Sequence, residues 1–224
     1  MDQTRSKNLI KSLIELISFH IFAIGFILTH KLPNNPINYY LLAMIIMIVL
    51  FKEFILPLKP NMNFTITYSV IFIIICAVGF KSMNVFVMIL VFSQLAFLFV
   101  TRYIPQKYGV VAMVLRDFVV PSFISIGIFF YYTHFISINF VVPLLLVNLT
   151  AIMITYFDGE ITSYVQIIVV AIATVILFFL GYINILSTIA IIAYALAMVL
   201  LKIFDKFSAD DVVNRCIGNV LLII

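Results

Sequence analysis

Charged side chains that could bind a phosphate or a metal ion lie at the ends of long apolar segments of this chain. Arg102, Lys107, Arg116 and Arg215 are candidate phosphate-binding residues. Glu53, Asp117, Asp158 and Glu160 are candidate ligands of a divalent cation, with Mg²⁺ as the expected ion. Neighbouring carboxylates can share a hard cation, and guanidinium groups bind phosphate oxygens in pairs. A simpler interpretation is that charges in a membrane protein collect in the loops that flank its spans.

A second group of polar residues lies inside the apolar segments. Gln94, Asn148 and Gln166 are the members most relevant to function. Such side chains either form hydrogen bonds between helices or line the path of a transporter or channel. Glu15 is near the start of the first apolar segment, so we expect its carboxylate to reach the membrane surface.

The composition identifies the class of protein that must position these residues. Of 224 residues, 65% are hydrophobic and only 10% are charged, which leaves too little polar surface for a water-soluble globule. The formal net charge of +4 comes from basic residues scattered between apolar segments, which argues against nucleic acid as a partner. The chain therefore has the composition of an integral membrane protein, with a first apolar segment that is expected to be a retained span.

Apolar segments of about 20 residues cross a bilayer as helices, and the sequence contains eight candidates. They are residues 9–29, 38–56, 64–80, 84–101, 112–133, 136–157, 161–181 and 185–203. Turn sequences such as "KLPNNP", "PLKPNMN" and "FDGE" separate them. We therefore predict an all-α polytopic membrane protein with about eight transmembrane helices.

The distribution of basic residues predicts the orientation of these helices. Ten lysines and arginines fall on the side that holds both termini, two (Lys31 and Lys81) fall on the other side, and Arg116 depends on where the fifth span begins. Lysine and arginine are enriched on cytoplasmic flanks. We expect both termini in the cytoplasm and the plasma membrane of a prokaryote as the location.

A weak internal repeat predicts two halves of four spans. "INYYLLAMII" at 37–46 matches "INFVVPLLLV" at 138–147, an offset of 101 residues. An even number of spans in each unit would give a parallel repeat. The predicted units are residues 1–101 and 102–203, followed by a cytoplasmic or interfacial tail at 204–224.

The adjacent pair Arg116 and Asp117 raises two alternatives for the fifth span. If the helix starts at Pro105, Arg116 lies inside the bilayer and needs a partner or a wet cavity. If "QKYGVVAMVL" is a separate interfacial piece, the pair marks the cytoplasmic entrance and Pro121 falls in the first turn. We favour the second alternative, and expect Arg116 to pair with Asp117 or with the "FDGE" loop.

The arrangement resembles the UbiA superfamily of intramembrane prenyltransferases. The resemblance lies in two four-helix units with acidic cytoplasmic loops after the second and sixth spans. It implies that Mg²⁺ and an isoprenyl diphosphate bind there, with Glu53 in the first loop and Asp158 and Glu160 in the second. A shorter stretch, "PQKYGVVAM" at 105–113, is similar to P-x-x-H-G-x-x-A-M of the YwiC-like membrane proteins, with Tyr108 in the place of histidine.

Two functional hypotheses follow. In the first, the protein handles an isoprenoid or another phosphorylated lipid at the cytoplasmic face, as a prenyltransferase-like protein that need not be catalytic. In the second, it is a small-solute transporter or channel, or a helical subunit of a larger membrane complex. Membrane lipid is the expected partner in the first, and further copies of this chain or other membrane proteins are expected in the second.

Overall fold

A computed structural model describes residues 2–32, 36–58, 61–156, 160–203 and 210–223. Every secondary-structure element in these ranges is helical, which confirms the predicted all-α class. In chain order the helices are α1 (Asp2–Thr29), α2 (Tyr39–Leu58), α3 (Met62–Gly79), α4 (Val85–Thr101), α5 (Gln106–Thr133), α6 (Ile138–Tyr156), α7 (Glu160–Phe179), α8 (Ile185–Ile203) and α9 (Asp211–Leu221).

Within the described residues, six helical stretches are long and apolar enough to cross a membrane. Five of them lie in α1, α2, α5, α6 and α8, and the sixth consists of α3 and the short turn that follows it. Two shorter apolar helices are α4 and the part of α7 from Tyr164 to Phe179. These lengths and compositions agree with an integral membrane protein.

Polar side chains in the loops begin several of the helices. Asn38, Asn61 and Asn84 precede α2, α3 and α4, and each side-chain oxygen accepts a hydrogen bond from a backbone N–H of the first turn. Asp210 caps α9 in the same way. These caps satisfy N–H groups that the helix itself leaves without partners, so the loop residues fix where each helix starts.

Helix α1 packs mainly against α5 and α9. At one end of this interface the rings of Phe22, Phe129 and Phe140 stack, with centroids 4.8 Å apart for Phe22 and Phe140 and 4.1 Å apart for Phe129 and Phe140. Burial of such large apolar rings supplies both area and specific ring geometry to the core.

The C-terminal helix α9 lies parallel to α1. Its contacts with α1 advance in the same direction along both helices: Lys11 pairs with Asp210, Glu15 with Arg215, and Ser18 with Asn219. Ile223 then reaches Gly25, where an added Cβ would lie 2.6 Å from the isoleucine side chain. The chain from 211 to 221 is thus packed between helices, with Arg215 and Asn219 buried.

Two helices contain a π-helical turn, at Phe51–Ile55 in α2 and at Val114–Val119 in α5. Helix α5 is continuous through its π turn from Gln106 to Thr133. The stretch before Arg116 is therefore part of the same helix and not the separate piece that we favoured. π turns inside α-helices are rare and often lie at functional sites.

Candidate functional site

Lys52 is the centre of a buried cluster of charges. Its ammonium group lies 2.5 Å from Glu15 Oε1, 3.4 Å from Asp117 Oδ1 and 3.7 Å from Glu53 Oε1. Asp211 Oδ2 is 4.0 Å away. Only 4% of Lys52 is exposed, so it depends on these carboxylates to offset the cost of removing its charge from water.

Arg215 is a second buried cation, and it contacts two of the same acids. One guanidinium nitrogen, Nη2, lies 3.0 Å from Glu15 Oε1 and 3.5 Å from Asp211 Oδ2, while Nη1 donates to the backbone oxygen of Asp117 at 3.0 Å. Glu15 is therefore shared between Lys52 and Arg215. It is fully buried, so the expectation that its carboxylate reaches the membrane surface is wrong.

Arg116, Asp117 and Tyr156 form a third set of contacts beside Lys52. The Arg116 guanidinium holds the Asp117 carboxylate through Nε and Nη2, the shortest contact being 2.6 Å. The Tyr156 hydroxyl accepts from Arg116 Nη2 at 3.0 Å and donates to Asp117 Oδ2 at 2.7 Å. The Arg116 side chain remains 37% exposed while Asp117 is buried, so Arg116 lies at the border of the cluster.

Burial and neighbouring charges also act on the two ionisable groups of α9. Burial raises the pKa of Asp211, Asp117 and Glu15 raise it further, and Lys52 and Arg215 oppose them. Burial opposes the charge of Arg215, but Glu15 and Asp211 outweigh that effect and the pKa of Arg215 is raised. The arginine consequently stays charged in its buried position.

A cavity of about 450 Å³ opens beside this cluster, and we call it the charged cavity. Its charged and phenolic lining residues are Lys11, Lys52, Glu53, Arg102, Arg116, Asp117, Tyr156 and Asp211. Four basic and three acidic side chains thus face one space, with an excess of positive charge. Counting Glu15, Asp210 and Arg215, which contact these lining residues, gives five basic and five acidic residues. An anionic ligand would therefore depend on the partly exposed Arg116 at the border of the cluster.

The four predicted phosphate-binding residues occupy three different environments. Arg102 and Arg116 line the charged cavity, and Arg102 Nη1 also donates to Thr65 Oγ1 at 2.6 Å. Arg215 is buried behind the cavity by its contacts with Glu15 and Asp211. Lys107 is exposed, and its ammonium lies 4.8 Å from the centre of the Tyr108 ring.

Two of the four predicted metal ligands can be located. Glu53 and Asp117 both line the cavity, but each faces Lys52. The other two, Asp158 and the side chain of Glu160, lie outside what the structure describes. Among the described residues, no group of three or more histidine, cysteine or acidic side chains is arranged to hold a metal ion.

The three amides predicted to be important inside the apolar segments form hydrogen bonds either within one helix or between two helices. Gln94 donates to the backbone oxygen of Leu90 in its own helix at 2.7 Å. Asn148 of α6 donates to Ser122 of α5, and Gln166 of α7 donates to the backbone of Met153 in α6, both at 2.9 Å. Their described contacts are thus structural bonds within or between helices.

The places of Glu15, Lys52 and Asp211 in the charge cluster were not predicted from the sequence. For Lys52, a match between two short segments pointed to such a place. "FKEFILP" at 51–57 and "LRDFVVP" at 115–121 match position by position in chemical type. The match pairs Lys52 with Arg116 and Glu53 with Asp117, and each segment overlaps one of the π turns. The two motifs belong to antiparallel helices, because Lys52 lies near Asp117 while Tyr131, near the end of α5, donates to Pro36 before α2.

Comparison of this chain with models of protein families, with curated proteins and with solved structures finds no match.

Proposed function

We propose that this protein binds the phosphorylated head group of a lipid in the charged cavity at the cytoplasmic end of the helices. The observation that carries the proposal is the partly exposed guanidinium group of Arg116, with Arg102, in a cavity bordered by apolar helices. Phosphate oxygens accept hydrogen bonds from guanidinium and ammonium groups more strongly than from neutral donors.

Arg116 is the residue best suited to contact the phosphate. It is partly exposed, it is oriented by Asp117 and Tyr156, and its described contacts use Nε and Nη2. Within the part of the chain that the structure describes, the Nη1 donors make no hydrogen bond of this kind and can serve a ligand. Because its orienting partners are already in place, less rotamer entropy is lost when it binds a phosphate.

We further propose eight spans in two parallel halves, 1–101 and 102–203, with α4 and α7 as the two shorter spans. Support comes from the correspondence of each predicted apolar segment with one helix and from the positive-inside count. A likeness to the UbiA superfamily is part of this proposal. Mg²⁺ stays a prediction that rests on Asp158 and Glu160, and no step of the proposed binding depends on it.

The orientation has its own test. A cysteine introduced by Lys107→Cys should be protected from an impermeant maleimide in intact cells, and one introduced by Lys81→Cys should react, because the basic-residue bias places them on opposite sides. Both sites are exposed, and a variant with Cys76 and Cys216 replaced by alanine removes background. Labelling at residue 107 without labelling at 81 would reverse the topology.

Head-group binding is tested with Arg116→Gln. In nanodiscs the parent protein should bind dodecyl phosphate more tightly than dodecanol, and the variant should lose about tenfold or more of the phosphate affinity, the value of one charge-assisted hydrogen bond. Lys107→Gln is the matched control, because it removes an exposed positive charge outside the cavity.

Equal affinity for the phosphate and the alcohol in the parent protein would contradict the proposal. The alternative function, a transporter, channel or subunit of a complex, would then be the better hypothesis. Thermal stability of each variant should be measured alongside, so that loss of binding is separated from loss of fold.

A further inference from the structure

The space between α3 and α4 is a groove with an apolar lining. These helices are consecutive, yet α3 packs mainly on α2 and α4 packs mainly on α5. The groove between them has a volume of about 340 Å³ and is lined by Ser69 and Ile73 of α3 and by residues of α4 from Phe92 to Val100. The Ser69 hydroxyl donates to the backbone oxygen of Thr65, so it leaves the lining apolar in character.

The end of α4 carries residues that line the groove and residues that line the charged cavity. Phe99 and Val100 line the groove, and the next two residues of the chain, Thr101 and Arg102, line the cavity. Arg102 also bridges the two helices by donating to Thr65 at 2.6 Å, one turn before Ser69. Arg102 therefore lines the charged cavity and lies within one helical turn of groove-lining residues on both helices.

We infer that the groove between α3 and α4 holds the hydrocarbon chain of the same lipid whose phosphate occupies the charged cavity. This inference rests on the proposed function. It is supported by the apolar lining of the groove and by Arg102, a basic residue of the charged cavity that lies within one helical turn of the groove-lining residues of both helices, a pattern that matches an anionic amphiphile. From Phe92 to Val100 the groove follows about 12 Å of helix, which gives room for a substantial part of one chain.

Ala96 provides the means to test the tail site without touching the head-group site. It lies one turn from both Phe92 and Val100, it lines the groove, and it is exposed. A tryptophan at this position would fill the groove with its side chain. The charged residues of the cavity belong to other positions and would be unchanged.

The experiment compares Ala96→Trp and Arg116→Gln for binding of dodecyl phosphate and of butyl phosphate in nanodiscs. Ala96→Trp should weaken the affinity for dodecyl phosphate by about tenfold or more and leave the affinity for butyl phosphate unchanged, because only the long chain occupies the groove. Arg116→Gln should weaken both. The matched control is Ala193→Trp, an exposed alanine of α8 that does not line the groove.

The two failures are distinguishable. If Ala96→Trp binds dodecyl phosphate as the parent does while Arg116→Gln weakens both ligands, the tail site is wrong and the head-group site stands. If Arg116→Gln leaves both affinities unchanged, the proposed function itself fails and this inference fails with it. An equal loss of affinity for dodecyl phosphate in Ala96→Trp and Ala193→Trp would also overturn the tail site. It would show a general effect of tryptophan on the lipid-facing surface.

Discussion

Replacing Lys52 with methionine should lower the free energy of unfolding by about 3–5 kcal/mol, the usual result of removing one partner from a buried ion pair. The ammonium is the nearest positive charge to Glu15 and also faces Asp117. Without it, Glu15 would depend on Arg215, and Asp117 on Arg116, to offset the repulsion between the buried carboxylates. Thermal denaturation in detergent, followed by circular dichroism, measures the effect.

Lys107→Met is the control for this experiment, since it removes the same type of side chain from an exposed position. A double variant, Lys52→Met with Glu15→Leu, should be less destabilised than the sum of the two single changes, because each single change leaves a buried charge without its partner. A melting temperature for Lys52→Met equal to that of Lys107→Met would show that the cluster contributes little to folding.

Gly218→Ala should displace α9 from its packed position between α6 and α8. The added Cβ would lie 2.4 Å from Val147 Cγ1 and 3.0 Å from the ring of Tyr194, and neither neighbour is flexible. Overpacking of this kind costs about 1–3 kcal/mol. Because Gly218 lies one turn from Arg215, the displacement should also loosen the contact of Arg215 with Glu15.

The readout for α9 is the rate at which Cys216 reacts with a maleimide. In the parent protein burial raises the pKa of the Cys216 thiol, which slows the reaction. We expect faster labelling in Gly218→Ala than in Gly109→Ala, where an added Cβ has no atom within 4 Å. A Cys76→Ala background confines the label to Cys216. Equal labelling rates in the two variants would mean that α9 tolerates the extra methyl group.

Much of the helical organisation was predictable because it depends on residues that are close together in the sequence. Apolar runs gave the helices, and asparagines in the loops gave several of their starts. Segments 84–101 and 185–203 of the prediction differ from α4 and α8 by a residue at most. Such features depend on neighbours in the chain, and a single sequence contains that information.

The charge cluster depends on contacts that a sequence does not display. Glu15 and Arg215 are 200 residues apart, and their contact exists only because α9 packs along α1. Asp117 and Arg116 were selected from their adjacency, which is local, whereas the position of Lys52 opposite Asp117 requires α2 and α5 to meet. The π turns were also not predicted, since composition alone does not distinguish them from an ordinary helical turn.

The two π turns have a consequence for how this protein could have changed over time. A π turn contains about one residue more per turn than an α-helix, so it can absorb a single inserted residue while the helix on both sides keeps its original faces. Phe51–Ile55 and Val114–Val119 each carry one basic and one acidic residue. Insertion of one codon in either gene segment would therefore be accommodated within the turn. Loss of that codon would restore a plain helix and leave the surrounding packing in register.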